Sequence, residues 1–107
     1  MVINETGIIT NWNKQAEKIF GWTRSEILRK QLANLIIPER YREVHKKGLK
    51  NYLKKEPGAF LNNRIETTAL RKNGEEFPIE LTVTALRLGE STTFSAFIRD
   101  ITETKKA

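Results

Sequence analysis

The sequence predicts an α+β domain: a five-stranded antiparallel sheet with short helices and one longer helix packed on one face. Three observations carry the prediction. Two short strand-like stretches near the N-terminus are followed by helix-capping signals at Asn13 and Thr23. A one-sided amphipathic stretch then runs from about Pro38 to Lys54. Finally, residues 60–100 hold three strand patterns separated by turn signals at Asn73-Gly74 and Gly89-Glu90-Ser91.

Val2 and Ile3 read as the end of one strand, Asn4-Glu5-Thr6-Gly7 as a turn, and Gly7 to Trp12 as the next strand. Asn13 caps a short helix, Lys14 to Phe20, in which Ala16, Ile19 and Phe20 recur at helical spacing. Gly21 stops it. Thr23-Arg24-Ser25-Glu26 has the form of a capping box and opens a second short helix that turns Ile27 and Leu28 inward. Leu32, Leu35, Ile36 and Ile37 lead into Pro38, which suits the first turn of the longer helix. On that helix Tyr41, His45, Gly48, Leu49 and Tyr52 make one inward stripe, with the lysines on the opposite side. Pro57-Gly58 ends it. Strands follow over Phe60 to Leu70, Phe77 to Ala85 and Thr92 to Asp100. Asn73-Gly74 between the first two is a two-residue hairpin signal, because both residues accept positive φ. Phe77, Ile79, Leu81, Val83 and Ala85 alternate with polar residues and proline, as do Phe94, Ala96 and Ile98 with Ser95, Phe97 and Arg99.

Composition narrows the function. A chain of 107 residues is one domain, able to bury roughly two thirds of its unfolded surface. It is 38% apolar and 30% charged, as a soluble globular domain is, and no apolar run approaches the ~20 residues of a membrane span. No secretory signal pattern opens it. The chain has no cysteine, hence no disulfide framework, thiolate metal site or thiol nucleophile, which fits a cytoplasmic address. The net charge is +6, much of it on Lys46, Lys47, Lys50, Lys54 and Lys55. No aromatic residue interleaves these lysines and no groove-reading motif accompanies them, so they read as a solvated helix face and nucleic acid is not an expected partner. The single histidine, the isolated Ser25, Ser91 and Ser95, the scattered carboxylates and the absence of a phosphate-cradling glycine loop leave no catalytic constellation.

Three strings carry a family resemblance: GIITNWNKQAEKIFGWTRSEIL over residues 7–28, ALRKNGEEFPIELTV over 69–83 and FIRDITETK over 97–105. In this order and spacing the chain resembles the PAS fold almost throughout. The resemblance implies a single PAS domain over 1–107, with the family's first strand truncated and the start of a C-terminal linker helix at about 102–107. It implies a non-enzymatic sensory input module of a signalling protein, a sensor histidine kinase or a cyclic-dinucleotide enzyme. Such a module works by binding a small ligand, by homodimerising or by relaying to an output domain within the same chain. A ligand-free structural interaction domain is the alternative, with Phe97 on the outer sheet face, flanked by Thr82, Thr84 and Ser95, as its partner surface.

The expected ligand cavity lies between the inner sheet face and the helices, lined by Ile9, Leu49, Tyr52, Leu81, Val83, Phe94, Ala96 and Ile98; the same side chains can equally fill the interior with no ligand. The ligand's identity stays open. Arg42-Glu43-Val44-His45 resembles the segment that carries the iron-ligating histidine in haem-based oxygen-sensor kinases of the family, which makes His45 the candidate metal ligand if haem is bound. Arg64 falls near the arginine that those sensors place over the gas side of the haem, or it can serve as partner to an organic anion. Asn51 and roughly Gly58 stand where the sensors hold the haem propionates, with Lys50 or Lys54 as possible substitutes. The other reading of His45 is a half-buried residue hydrogen-bonded to a carboxylate or carbonyl. The flavin adduct of light-sensing relatives needs a cysteine that this chain lacks. Asp100 and Thr102, where the last strand gives way to a helix, are the expected signal relay.

Overall fold

The computed structural model describes residues 1–47, 64–89 and 91–106. Its five strands are β1 (Val2–Asn4), β2 (Ile9–Asn11), β3 (Arg64–Leu70), β4 (Glu76–Leu88) and β5 (Ser91–Asp100), all antiparallel, in the spatial order β2-β1-β5-β4-β3. The helices are α1 (Lys14–Phe20), α2 (Arg24–Ile27), α3 (Leu32–Leu35), a 3-10 turn (Glu39–Tyr41) that runs into α4 (residues 42–47), and α5 (Thr102–Lys106).

Local chemistry sets the helix ends. The Asn13 side chain accepts from the Ala16 N–H at 2.9 Å, satisfying one of the free donors at the start of α1. At its other end Gly21 takes φ +86° and donates its N–H to the Glu17 carbonyl. Thr23 and Glu26 form the complete capping box: the Glu26 N–H donates to the Thr23 hydroxyl and the Thr23 N–H to the Glu26 carboxylate. The β1–β2 turn closes on the Asn4 carboxamide oxygen, which accepts from the Thr6 and Ile8 N–H groups, both at 3.0 Å.

Period-two alternation and helical spacing then point one set of side chains into one core. Ile3, Ile9, Ala69, Phe77, Ile79 and Phe94 from the sheet meet Ala16, Ile19, Phe20, Ile27, Leu32 and Ile36 from the helices, with Trp12 between them. Trp12 and Phe20 lie 5.4 Å apart, Phe20 and Phe77 5.7 Å apart with their planes at 63°, an edge-on arrangement that aromatic rings favour. The Trp12 indole N–H is satisfied by the Trp22 carbonyl at 2.9 Å, so the ring is buried without an orphaned donor. The outer face carries Phe97, which is 73% exposed, so among the described residues the helices cover the opposite face, as the sequence predicts.

Three expectations need correction. The segment from Pro38 is not α-helical from the start: Pro38 precedes a 3-10 turn and α-helix begins at 42. The offset rotates Tyr41 out of the expected inward stripe. It is 41% exposed, with the Arg40 guanidinium 4.6 Å from its ring, while Arg42 and His45 take the half-buried positions. The β3–β4 hairpin forms as expected, but not through two residues of positive φ. Only Gly74 adopts it (φ +90°), in a loop from Arg71 to Glu75 where Gly74 N–H donates to the Arg71 carbonyl and the Asn73 side chain accepts from the Glu75 N–H. That is a turn followed by one left-handed residue, the longer hairpin solution. β3 is described from Arg64. Gly48, Leu49, Asn51, Tyr52, Gly58, Phe60 and the lysines at 50, 54 and 55 lie outside the described residues.

Gly21 is one of the positions where backbone freedom is required. A Cβ there would meet the Lys72 Cβ at 3.5 Å, an ordinary contact, so strain rather than space is the obstacle. Gly21→Ala is expected to lower stability by about 1–2 kcal/mol. A urea titration checks it through a lower midpoint with unchanged slope.

Candidate ligand and relay site

The centre of the inner sheet face is less covered than its two ends. Phe77 and Ile79 are buried at one end of the paired β4 and β5, and Phe94 and Ile3 at the other. Between them Leu81 pairs with Ile98 and Val83 with Ala96, and all four are half-buried. Four of the expected lining residues therefore come together as two adjacent cross-strand pairs. Phe94 and Ile9 are core instead, at 5% and 0% exposure, and are held by neighbours rather than facing open space.

His45 lies on α4 and is half-buried. α4 is braced at its start by Arg42, whose Nε donates to the Ile37 carbonyl at 2.9 Å and whose second guanidinium nitrogen reaches the Asn34 carbonyl. Burial pushes the His45 imidazole below its ordinary pKa, so the ring is neutral at pH 7. Its Nδ1 is buried with no hydrogen-bond partner. The expected bond to a carboxylate or carbonyl is thus missing at that nitrogen, and an unsatisfied buried group costs about 1–3 kcal/mol.

A neutral, half-buried imidazole suits haem iron, but the remaining described residues do not assemble a haem pocket around it. Arg64 is the first described residue of β3, yet it pairs with Thr82 on the outer face, 73% of its side chain is exposed, and its guanidinium lies 3.8 Å from Glu80. The strand's alternation decides this: Ile65 opposite Leu81 faces in, so Arg64 faces out. The place expected for Arg64, beside the cavity, is corrected accordingly. The unpaired Nδ1 likewise lacks the second-shell acceptor that usually orients a metal-bound imidazole.

At the far end of β5, Asp100 accepts from both the N–H of Thr102 (2.9 Å) and its hydroxyl (2.5 Å), which satisfies the first free N–H at the start of α5. Sequence reasoning missed the third partner. Arg71, in the β3–β4 loop, donates to the other Asp100 oxygen at 2.8 Å. Burial pushes the Asp100 carboxyl upward, but the Thr102 and Arg71 hydrogen bonds outweigh it and hold the group below the ordinary carboxylate range. Two surface grooves, one along Pro38–Arg42 with Leu70 and Glu76 and one along Lys18–Gly21 with Arg71–Asn73, lie outside this inner-face centre. Among the described residues no cluster of histidine and carboxylates could hold a metal ion, and no helix is long and apolar enough to cross a membrane.

The family model described as PAS fold matches residues 1–101, and the chain belongs to that family. PAS domains are sensory, non-catalytic modules that commonly dimerise and relay to output domains. The chain is 38% identical to an uncharacterised protein of Azorhizobium caulinodans and 33% identical to the sensor protein FixL of Bradyrhizobium diazoefficiens, each match covering 96% of this chain. It spans 14% and 20% of the length of those two proteins. Among solved structures it resembles the PAS domain of the RpfR quorum-sensing receptor of Cronobacter turicensis, in complex with C12:0, with a TM-score of 0.71 and 13% identity over 94% of this chain and 90% of that one.

The lowered His45 pKa has a stability consequence. Between the folded pKa and the unfolded value near 6.5 the unfolded chain binds more protons, so stability falls as pH drops through that window. Urea unfolding at pH 7.5 and 5.5 is expected to show this loss, and His45→Leu is expected to remove the slope.

Proposed function

We propose that this domain is the input module of a sensor histidine kinase. It binds a small, largely apolar ligand over Leu81, Val83, Ala96 and Ile98 and relays its presence through Asp100 and Thr102 to α5. The observation that carries this is the half-covered centre of the inner face between two buried ends, on the strand that terminates at the α5 cap. A half-covered apolar patch favours a ligand that covers it, by roughly 25 cal/mol per Å². The Cronobacter receptor domain, solved with C12:0, is a fold-level precedent for an apolar occupant. A cytoplasmic address goes with this role.

Haem is not part of the proposal. The chain produced with haem supplied is expected to show no Soret band; a Soret band that His45→Ala abolishes would put haem in the site instead. In the parent protein, Asp100→Ala and Thr102→Ala are expected to change output, or its response to signal, while leaving ligand binding intact. Wild-type output from both variants across the signal range would reduce the junction to a strand end.

One observation favours a second, compatible reading, association through the outer face. Phe97 and Leu86 are 73% and 58% exposed there, and Phe97 pairs with Thr82. Solitary exposed apolar residues are ordinary, but two on one unpartnered sheet face suit a homodimer or an output segment of the same chain. Phe97→Asp is expected to shift the sedimentation coefficient of any dimer to that of the monomer without altering ligand binding.

A further inference from the structure

The β3–β4 loop holds two consecutive cations that join elements far apart in the chain. Lys72 fastens the α1–α2 corner: its N–H donates to the Phe20 carbonyl at 2.7 Å, its ammonium pairs with Glu26 at 2.6 Å and stands 5.3 Å from the centre of the Trp22 ring. Arg71 makes three directed bonds with one guanidinium, to the Ile19 carbonyl at the end of α1 (2.5 Å), to Glu75 in its own loop (2.6 Å) and to Asp100 (2.8 Å). Its plane lies over Phe77, 3.7 Å from the ring centroid. The planar fork is pre-organised, and the stacked ring leaves it little freedom to choose other partners.

We propose that Arg71 is the positioning residue through which the α1–α2 corner controls the start of α5, a second route to the junction that does not run along β5. A displacement of the corner moves the Ile19 carbonyl and the loop. The guanidinium must follow both or lose a bond, and either motion alters its hold on Asp100. Asp100 in turn supplies the acceptor for the Thr102 N–H. The route rests on the reading of Asp100 and Thr102 as the relay, but its test does not need the output domain.

The test uses the 107-residue chain and two readouts, the titration of the Asp100 carboxyl by NMR and amide hydrogen exchange across α5. In Arg71→Gln the Asp100 pKa is expected to rise and α5 amides to exchange about tenfold faster, with the β4–β5 ladder unchanged. Arg71→Lys is expected to fail to restore α5 protection, because an ammonium cannot hold Ile19, Glu75 and Asp100 in one plane. A residue that only fills space would leave the Asp100 titration unmoved. Unchanged Asp100 titration and α5 exchange in folded Arg71→Gln would overturn the proposal, and so would full rescue by lysine. If Arg71→Gln does not fold, exchange of the Arg71 side-chain N–H groups is compared in the wild type and in Asp100→Asn. Slow exchange that Asp100→Asn accelerates supports the coupling, and fast exchange in the wild type contradicts it. Should Arg71→Gln loosen α5 while Asp100→Ala leaves output unchanged, the coupling stands and the relay reading fails.

Discussion

The packing of Phe20 against Phe77 and Trp12 is the contact on which the rest of the structure depends. It joins the end of α1 to the start of β4, and the two chain segments on either side inherit their positions from it. Beside it Gly21, with no Cβ, turns left-handed, and the Lys72 N–H donates to the Phe20 carbonyl. Phe77 then presents its other surface to the Arg71 guanidinium. Losing a buried phenylalanine costs about 3–5 kcal/mol, a large share of the roughly 5–15 kcal/mol that hold a domain folded. The ion pairs around the corner are partly exposed and each is worth about 1 kcal/mol or less. Burial therefore sets the corner, and the charges choose among the small displacements it still permits.

What the sequence disclosed followed the range of the interaction involved. The caps at Asn13 and Thr23 and the αL stop at Gly21 were legible because their partners sit within four residues. So was the inward set of β4, since alternation is a property of the strand itself. Tyr41 was misplaced because helical spacing was counted from Pro38, and a 3-10 turn of different pitch intervenes before residue 42. Arg64 matches the sensors' arginine in its place along the chain, whereas the register Ile65–Leu81 decides which face it takes. Arg71 was invisible for the same reason. Its partners Ile19 and Asp100 are 52 and 29 residues away, and only a cation beside the hairpin turn hinted at a role.

These scales bear on signalling. A junction held by one cap and one partly exposed ion pair lies within about 1–2 kcal/mol of release, so a ligand whose affinities for the two arrangements differ by roughly tenfold is enough to bias it. The aromatic corner does not yield at that scale. On the proposed reading the sheet centre and the chain end respond while the aromatic corner keeps the fold.

The central claim is that occupancy of the inner-face centre is felt at α5. The most direct measurement fills that centre from within, by Ala96→Leu, and reads the backbone amide chemical shifts of Thr102–Lys106, six residues and more beyond the substitution. The account predicts that these amides shift while those of Trp12, Phe20 and Phe77 stay in place. Shifts confined to the immediate neighbours of position 96, with α5 unmoved, would contradict it.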